Sequence, residues 1–325
     1  MALQILFLLF LTIPFSEASL SPDYYKKTCP DFDKIVRETV FPKQQEIPTT
    51  APGLLRLFFH DCMIDGCDAS VFIASNTFTK SERDTDENLS LSGDAFDIVV
   101  KIKTALELAC PGIVSCADII AQATRDLVKQ VGGPYYPVRL GRKDSLVSNS
   151  VRVHGHIPTP NMTMNQIIDL FTSKGFTIQE MVALTGAHTI GFSHCKEFSN
   201  RIFNYSSTSQ ADPAMHPTLA DGLRRLCANY TTDPAMSAFN DVMSPGQFDN
   251  NYYRNILKGL GLLASDHLLG VDPRTRPFVE LYARDQNAFY KDFAHAMEKL
   301  GRFGIKTGHK GEVRRRCDTF NTINP

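Results

Sequence analysis

The sequence predicts a mainly α protein with very little β-structure, on three observations. Apolar residues recur at helical spacing through most of the 325 residues. Alternating strand patterns are rare, residues 136–140 being the best short candidate. No repeat or low-complexity linker divides the chain, so one compact unit, divisible into two lobes, is expected.

The elements follow in chain order. Residues 5–15 are almost wholly apolar, and Ser16-Glu17-Ala18 supplies a small-x-small cleavage pattern. That run is short of the ~20 residues a membrane span needs, so residues 1–18 read as a signal peptide, although its start lacks Lys or Arg. Residues 19–325 are then the mature domain. Pro42 falls inside the first helical segment and should kink or end it. Residues 95–108 and 115–131 read as amphipathic helices separated by Pro111-Gly112. Gly132-Gly133-Pro134 and residues 149–161 read as loops. Residues 179–187 form a helix with Thr177 as its N-cap, and residues 251–263 and 278–300 are further, interrupted helical stretches. No later segment is long and apolar enough to cross a membrane.

Composition narrows the function classes. A formal net charge of −1 gives no reason to expect nucleic acid or an acidic surface as partner. Eight dispersed cysteines in an exported chain make four disulfides the default, and the absence of a C-x-x-C pair weakens a zinc reading. Spacing by itself points only to Cys62 with Cys67, which closes a tight loop through Gly66. N-x-S/T sequons at Asn88, Asn161, Asn204 and Asn229 are candidate glycan sites.

Four constellations carry chemistry. In Leu54-Leu55-Arg56-Leu57-Phe58-Phe59-His60-Asp61-Cys62, a helix places Arg56 and His60 on one face, either solvated or buried for use. Asp61, Ile64, Gly66, Asp68 and Ser70 then form either a hard-cation loop or a polar turn pinned by a disulfide. In Ala183-Leu184-Thr185-Gly186-Ala187-His188-Thr189-Ile190-Gly191, His188 ends an apolar helix as a capping residue or a ligand, with Gly186 and Ala187 small enough to admit a bulky planar group. Asp241, Ser244, Gln247 and Asp249 again place oxygens around a turn. Asp266 reads as a helix N-cap or as a partner for a histidine Nδ1–H. There is no G-x-S-x-G, H-E-x-x-H or P-loop, and His154-Gly155-His156 reads as exposed loop.

Together these segments resemble the class III secretory plant haem peroxidases from about Ser21 to Cys317. The resemblance rests on Arg56-Leu57-Phe58-Phe59-His60-Asp61-Cys62, Gly66-Cys67-Asp68-Ala69-Ser70 and Leu184-Thr185-Gly186-Ala187-His188-Thr189-Ile190-Gly191. Val114-Ser115-Cys116-Ala117-Asp118, Leu140-Gly141-Arg142-Lys143-Asp144, Ser193-His194-Cys195 and Phe248-Asp249-Asn250 with Tyr252-Tyr253 support it. It implies haem b held between a distal lobe near residues 19–160 and a proximal lobe near 161–317. A secreted, extracellular monomer is expected, with the vacuole as the lesser alternative. His188 is then the iron ligand, with Asp266 accepting its Nδ1–H. His60 moves the proton of hydrogen peroxide, Arg56 stabilises developing negative charge, and Asn88 orients His60, which removes Asn88 from the glycan candidates. Phenolic donors give up single electrons beside Pro158 and Pro160 of Ile157-Pro158-Thr159-Pro160.

Two calcium ions are implied as well. One takes Asp61, Asp68 and Ser70 with the carbonyls of Ile64 and Gly66, and Glu82 through water. The other takes Thr189, Asp241, Ser244 and Asp249 with the carbonyl of Gln247. The implied disulfides are Cys29–Cys110, Cys62–Cys67, Cys116–Cys317 and Cys195–Cys227, and Asp118 with Arg142 is an implied buried ion pair. The chain departs from the pattern at Asn240, where many relatives place an aromatic beside the proximal histidine and Phe239 is the candidate substitute. It departs also at Ser92-Gly93-Asp94-Ala95-Phe96 and at Ser244, and it has no Trp. Two rival readings are a non-catalytic, calcium-bound relative and a zinc hydrolase using His60, Asp61 and His188.

Overall fold

Residues 20–321 are described by the structure, a computed structural model. The expected signal peptide lies outside them. Helix α1 (Phe32–Glu46) buries Phe32, Val36 and Val40, one turn apart. Pro42 sits inside α1 without ending it: only the hydrogen bond to the carbonyl one turn back is lost, and the helix completes another turn. Helix α2 (Thr50–Asp65) is buried on most of its surface and stops at Gly66. Helix α3 (Gly93–Ala109) follows, with Ser92 at its N-cap position. Helix α4 (Cys116–Gln130) is capped by Ser115, whose hydroxyl accepts the Asp118 N–H. These four helices pack on one another as a first set.

Helices α5 (Met164–Ser173) and α6 (Ile178–Thr185) each open with a capping box, Thr163 with Gln166 and Thr177 with Glu180. Strand β1 (Phe192–His194), helices α7 (Ser199–Ile202) and α8 (Pro217–Leu226), and strand β2 (Ser237–Phe239) come next. The strands pair antiparallel with Phe192 opposite Phe239. Helices α9 (Asn251–Leu257), α10 (Ala264–Val271), α11 (Arg276–Arg284) and α12 (Gln286–Leu300) are the last α-helices among the described residues and pack with α6 as a second set. The stretch expected at 251–263 therefore stops at Leu257. Gly259, at φ +72°, turns the chain there. The stretch at 278–300 breaks at Asp285, whose carboxylate caps α12 by accepting the Asn287 and Ala288 N–H groups. Residues 136–140 form no strand, because only Leu140 finds a partner, pairing with Ser21.

Packing rather than capping seats α6. Phe289 and Phe293 of α12 are fully buried in the shared core, each contributing about 1.5–3 kcal/mol. An N-cap such as Thr177 contributes about 1 kcal/mol. A separate small core surrounds Cys195, Phe198, Ile202 and Leu263. Four disulfides join Cys29–Cys110, Cys62–Cys67, Cys116–Cys317 and Cys195–Cys227.

Beyond α12 the chain returns to the first helix set. The Cys67 N–H donates to the Phe303 carbonyl at 3.2 Å. Arg314, fully buried, donates to the carbonyls of Ala69 and Ser145 at 2.8 Å each.

Candidate active site

Helix α2 carries Arg56 and His60 one turn apart, and the structure surrounds them differently. His60 is 5% exposed, and its Nδ1 lies 2.7 Å from Asn88 Oδ1. The Asn88 amide nitrogen donates to the Glu82 carbonyl at 2.7 Å. A carbonyl only accepts, so this bond fixes the amide's orientation and leaves Oδ1 facing the imidazole. The proton of His60 is therefore on Nδ1 and the lone pair on Nε2. Burial, with the Arg56 charge added, pulls His60 down to about pKa 3, so the ring is neutral at ordinary pH. Arg56 remains solvent-accessible and donates to the Ser90 carbonyl and hydroxyl at 2.9 Å each. Partial desolvation by the surrounding protein lowers its pKa without removing its charge at neutral pH.

Asn88 is 2% exposed, which leaves no room for a glycan, whereas Asn161, Asn204 and Asn229 are exposed. Pro158 and Pro160 are partly exposed after Ile157, which packs on Ile64 and Val153.

The last turns of α2 and the loop after it hold three buried carboxylates, Asp61, Asp68 and Glu82. Asp61 accepts the Ala69 N–H at 2.9 Å, and the Ser70 hydroxyl donates to Glu82 at 2.6 Å. Burial pushes Glu82 up to about 7. It raises Asp61 further above its ordinary value, with Asp68 and Glu82 adding like charge. Glu82 Oε1 is buried with no partner. Lys306, from the returning tail, pairs with Asp68. The Ile64 carbonyl accepts from His156 Nδ1 at 2.6 Å. Gly66 has φ +133°, and a methyl there would meet the Gly304 carbonyl carbon at 2.5 Å, so both conformation and space demand glycine. Excess buried negative charge and an orphaned carboxylate oxygen fit a hard cation at this loop.

His188 lies in a short 3₁₀ turn after α6 (Gly186–Thr189). Its Nδ1 is 2.9 Å from Asp266 Oδ1, and its side chain is 35% exposed. A carboxylate accepts, so Nδ1 again carries the proton and the Nε2 lone pair is free. Asp266 is neither a plain N-cap nor only a histidine partner. It lies in the first turn of α10, where Oδ2 accepts the Leu263 N–H at 3.0 Å. Gly186 does not make room for a planar group beside His188. A methyl there would meet the Phe289 ring at 2.5 and 2.7 Å, so the glycine admits α12 and Tyr253 instead. Phe239 is not the aromatic against His188: it is 52% exposed, while Asn240 is buried and accepts from the Ser193 hydroxyl at 2.7 Å. The aromatic ring beside His188 is that of Tyr252, edge-on with ring centroids 5.8 Å apart.

The second oxygen-rich turn also assembles. Thr189 Oγ1 lies 3.5 Å from the Gln247 carbonyl and accepts the Asp249 N–H at 3.4 Å. Asp241 accepts from the Met243 and Ser244 N–H groups, and the Ser244 hydroxyl lies 3.4 Å from its other oxygen. Burial raises Asp241, and the Asp249 charge adds to it. Among the described residues no lysine or arginine forms an ion pair with either carboxylate, so a hard cation fits here too.

The structure does not bring His60, Asp61 and His188 together as a zinc site. Each binds a different partner: His60 faces Asn88, Asp61 accepts the Ala69 N–H, and His188 faces Asp266. Asp118 and Arg142 pair at 2.9 Å, both buried. The sequence reading missed the roles of Tyr252, Ser90 and Lys306. Tyr252 was visible only as part of a supporting motif, and nothing local marks the other two.

A protein-family profile described as Peroxidase matches residues 36–285. The chain is 62% identical over 306 residues to Peroxidase 41 of Arabidopsis thaliana, covering 94% of this chain and 92% of that one. It is 60% identical over 323 residues to Peroxidase 65, covering 98% and 96%, and 56% identical over 320 residues to Peroxidase 31, covering 98% and 99%, both from the same plant. The chain belongs to the peroxidase family.

Proposed function

We propose that this enzyme, a haem peroxidase, reduces hydrogen peroxide to water with His60 as its acid–base group and His188 as the ligand of haem b. One observation carries the reading: two histidines have their Nδ1 protons held by buried acceptors, Asn88 and Asp266, so each keeps an Nε2 lone pair without a hydrogen-bond partner among the described residues. His188 has carboxylate backing and accessibility, which suit a ligand. His60 has a neutral amide and a strongly depressed pKa, which suit a base.

Haem, when bound, supplies the iron that takes up the two oxidising equivalents of peroxide. Nε2 of His60 accepts the proton of peroxide and returns it to the departing oxygen as water. The Arg56 guanidinium stabilises the negative charge that grows as the O–O bond breaks, held in place by Ser90. Phenolic donors then each give up one electron near Pro158 and Pro160.

Calcium would be held at Asp61, Asp68, Ser70, Ile64 and Gly66, with Glu82 through water, and again at Thr189, Asp241, Ser244, Gln247 and Asp249. The first site joins the acid–base group through Glu82 and Asn88, and the second flanks His188 through Thr189. We infer an extracellular monomer with glycans at Asn161, Asn204 and Asn229. Among the described residues no helix is long and apolar enough to cross a membrane. The absorption spectrum of the purified protein, with and without peroxide, tests the reading. A Soret band that changes on adding peroxide and returns on adding a phenol is expected. A colourless protein, or a Soret band indifferent to peroxide, would establish the non-catalytic alternative.

A further inference from the structure

Asp266 accepts more hydrogen bonds than one imidazole requires. It is fully buried, and its Oδ1 faces two donors at once: Nδ1 of His188 at 2.9 Å and the hydroxyl of Tyr252 at 2.7 Å. Its other oxygen accepts the Leu263 backbone N–H at 3.0 Å. Three donors converge on this one carboxyl group, which serves all of them as acceptor. Tyr252 is 1% exposed, and the oxygen its hydroxyl meets belongs to a carboxylate, which only accepts. The phenol therefore keeps its proton and acts as a donor. Its ring also lies edge-on to His188, at an interplanar angle of 85°.

A carboxylate oxygen that accepts from two donors gives each a weaker bond than it would give one alone. The strength of the Nδ1–H bond sets how much anionic character His188 passes to its Nε2, and hence how strongly it donates to a metal. From this shared oxygen we infer that Tyr252 is a positioning and tuning residue of the proximal histidine, limiting the electron density that His188 delivers to the haem iron. The inference rests on the assignment of His188 as iron ligand. It gives the aromatic beside His188 a second role, through its hydroxyl, that a phenylalanine in the same place could not play.

The test is Tyr252→Phe in the haem-loaded enzyme, which keeps the ring and removes only the donor. Two readouts separate an electronic role from packing: the iron–histidine stretching frequency of the ferrous protein by resonance Raman, and the ferric/ferrous midpoint potential. The stretch should shift to higher frequency and the potential to a more negative value, with the ferric coordination state unchanged. Asp266→Asn should move both readouts the opposite way. Global replacement of tyrosine by 3-fluorotyrosine leaves the sequence intact and makes the phenol a stronger donor, so it should lower the stretch. This arm decides the matter if Tyr252→Phe does not fold, since Tyr252 is the only tyrosine hydrogen-bonded to Asp266 among the described residues. Unchanged readouts in Tyr252→Phe, or shifts of reversed sign, would overturn the role of Tyr252 alone. A wild-type protein with no iron–histidine stretch would instead overturn the ligand assignment, and this inference with it.

Discussion

At the residue scale, His60 and His188 suit the two different roles proposed for them because their Nδ1 protons face different acceptors, a neutral amide and a carboxylate. Asn88 is neutral and adds no charge to His60, while burial and Arg56 pull its pKa to about 3. Only the neutral ring can accept a proton, so the acid limb of the peroxide reaction should lie near pH 3–4 rather than near the ordinary histidine value. A rate profile for peroxide consumption in the free enzyme, falling off near pH 6.5, would contradict this. The same depression means that acid costs stability: the unfolded chain binds the His60 proton below about pH 6.5, the folded one only near pH 3. Replacing His60 by Leu should slow peroxide reduction about 10²–10⁴-fold with haem retained, as measured by stopped-flow. His188→Ala should lose stable haem, and a normal Soret intensity in that variant would refute the ligand assignment. Gly186→Ala should destabilise the fold by about 1–3 kcal/mol in chemical denaturation, because the methyl meets Phe289.

At the scale of elements, the two oxygen-rich turns gather negative charge that the chain itself only partly balances. Burial raises Glu82 from 4.5 to about 7. A raised carboxylate contributes stability that is present below its unfolded pKa and is lost as pH rises through the folded one. Chelated protein should therefore melt at progressively lower temperature as pH rises from about 4.5 to above 7, while calcium-loaded protein is spared that loss. Melting curves with EGTA and with calcium across that range check this, and parallel curves would show that no cation relieves the loop. Because Ser70, Glu82, Asn88 and His60 form one hydrogen-bonded chain, EGTA should also perturb the Soret band. Helix α6 was legible in the sequence because its cap and apolar face are local. The ends of 251–263 and the break in 278–300 were misplaced because Gly259 and Asp285 act through turn geometry that apolar periodicity does not register.

At the scale of the molecule, the tail from Phe303 onward crosses back to the first helix set and supplies Gly304, Lys306 and Arg314 to the loop around Asp68. The Cys116–Cys317 disulfide closes a separation of 201 residues, for which loop entropy predicts a contribution of about 5 kcal/mol, an upper figure. Replacing both cysteines by Ala should lower stability by about 2–5 kcal/mol in denaturant unfolding and expose Arg314. An unchanged midpoint would mean that buried hydrogen bonds alone hold the tail.

What the sequence by itself determined is whatever is written in contiguous residues: the helical class, the Arg56–His60 pair on one face, the two oxygen-rich turns and the Gly186-Ala187-His188 segment. Only the tertiary structure decided who stands behind the histidines. Asn88 is 28 residues from His60, and Asp266 is 78 from His188. Family resemblance could name both in advance, but not that Tyr252 shares the Asp266 oxygen or that Lys306 reaches Asp68. Hydrogen-bond partners that far apart leave no periodic trace in a chain. They meet because burying apolar helix faces brings their elements together, and buried polar groups must then find partners across the core.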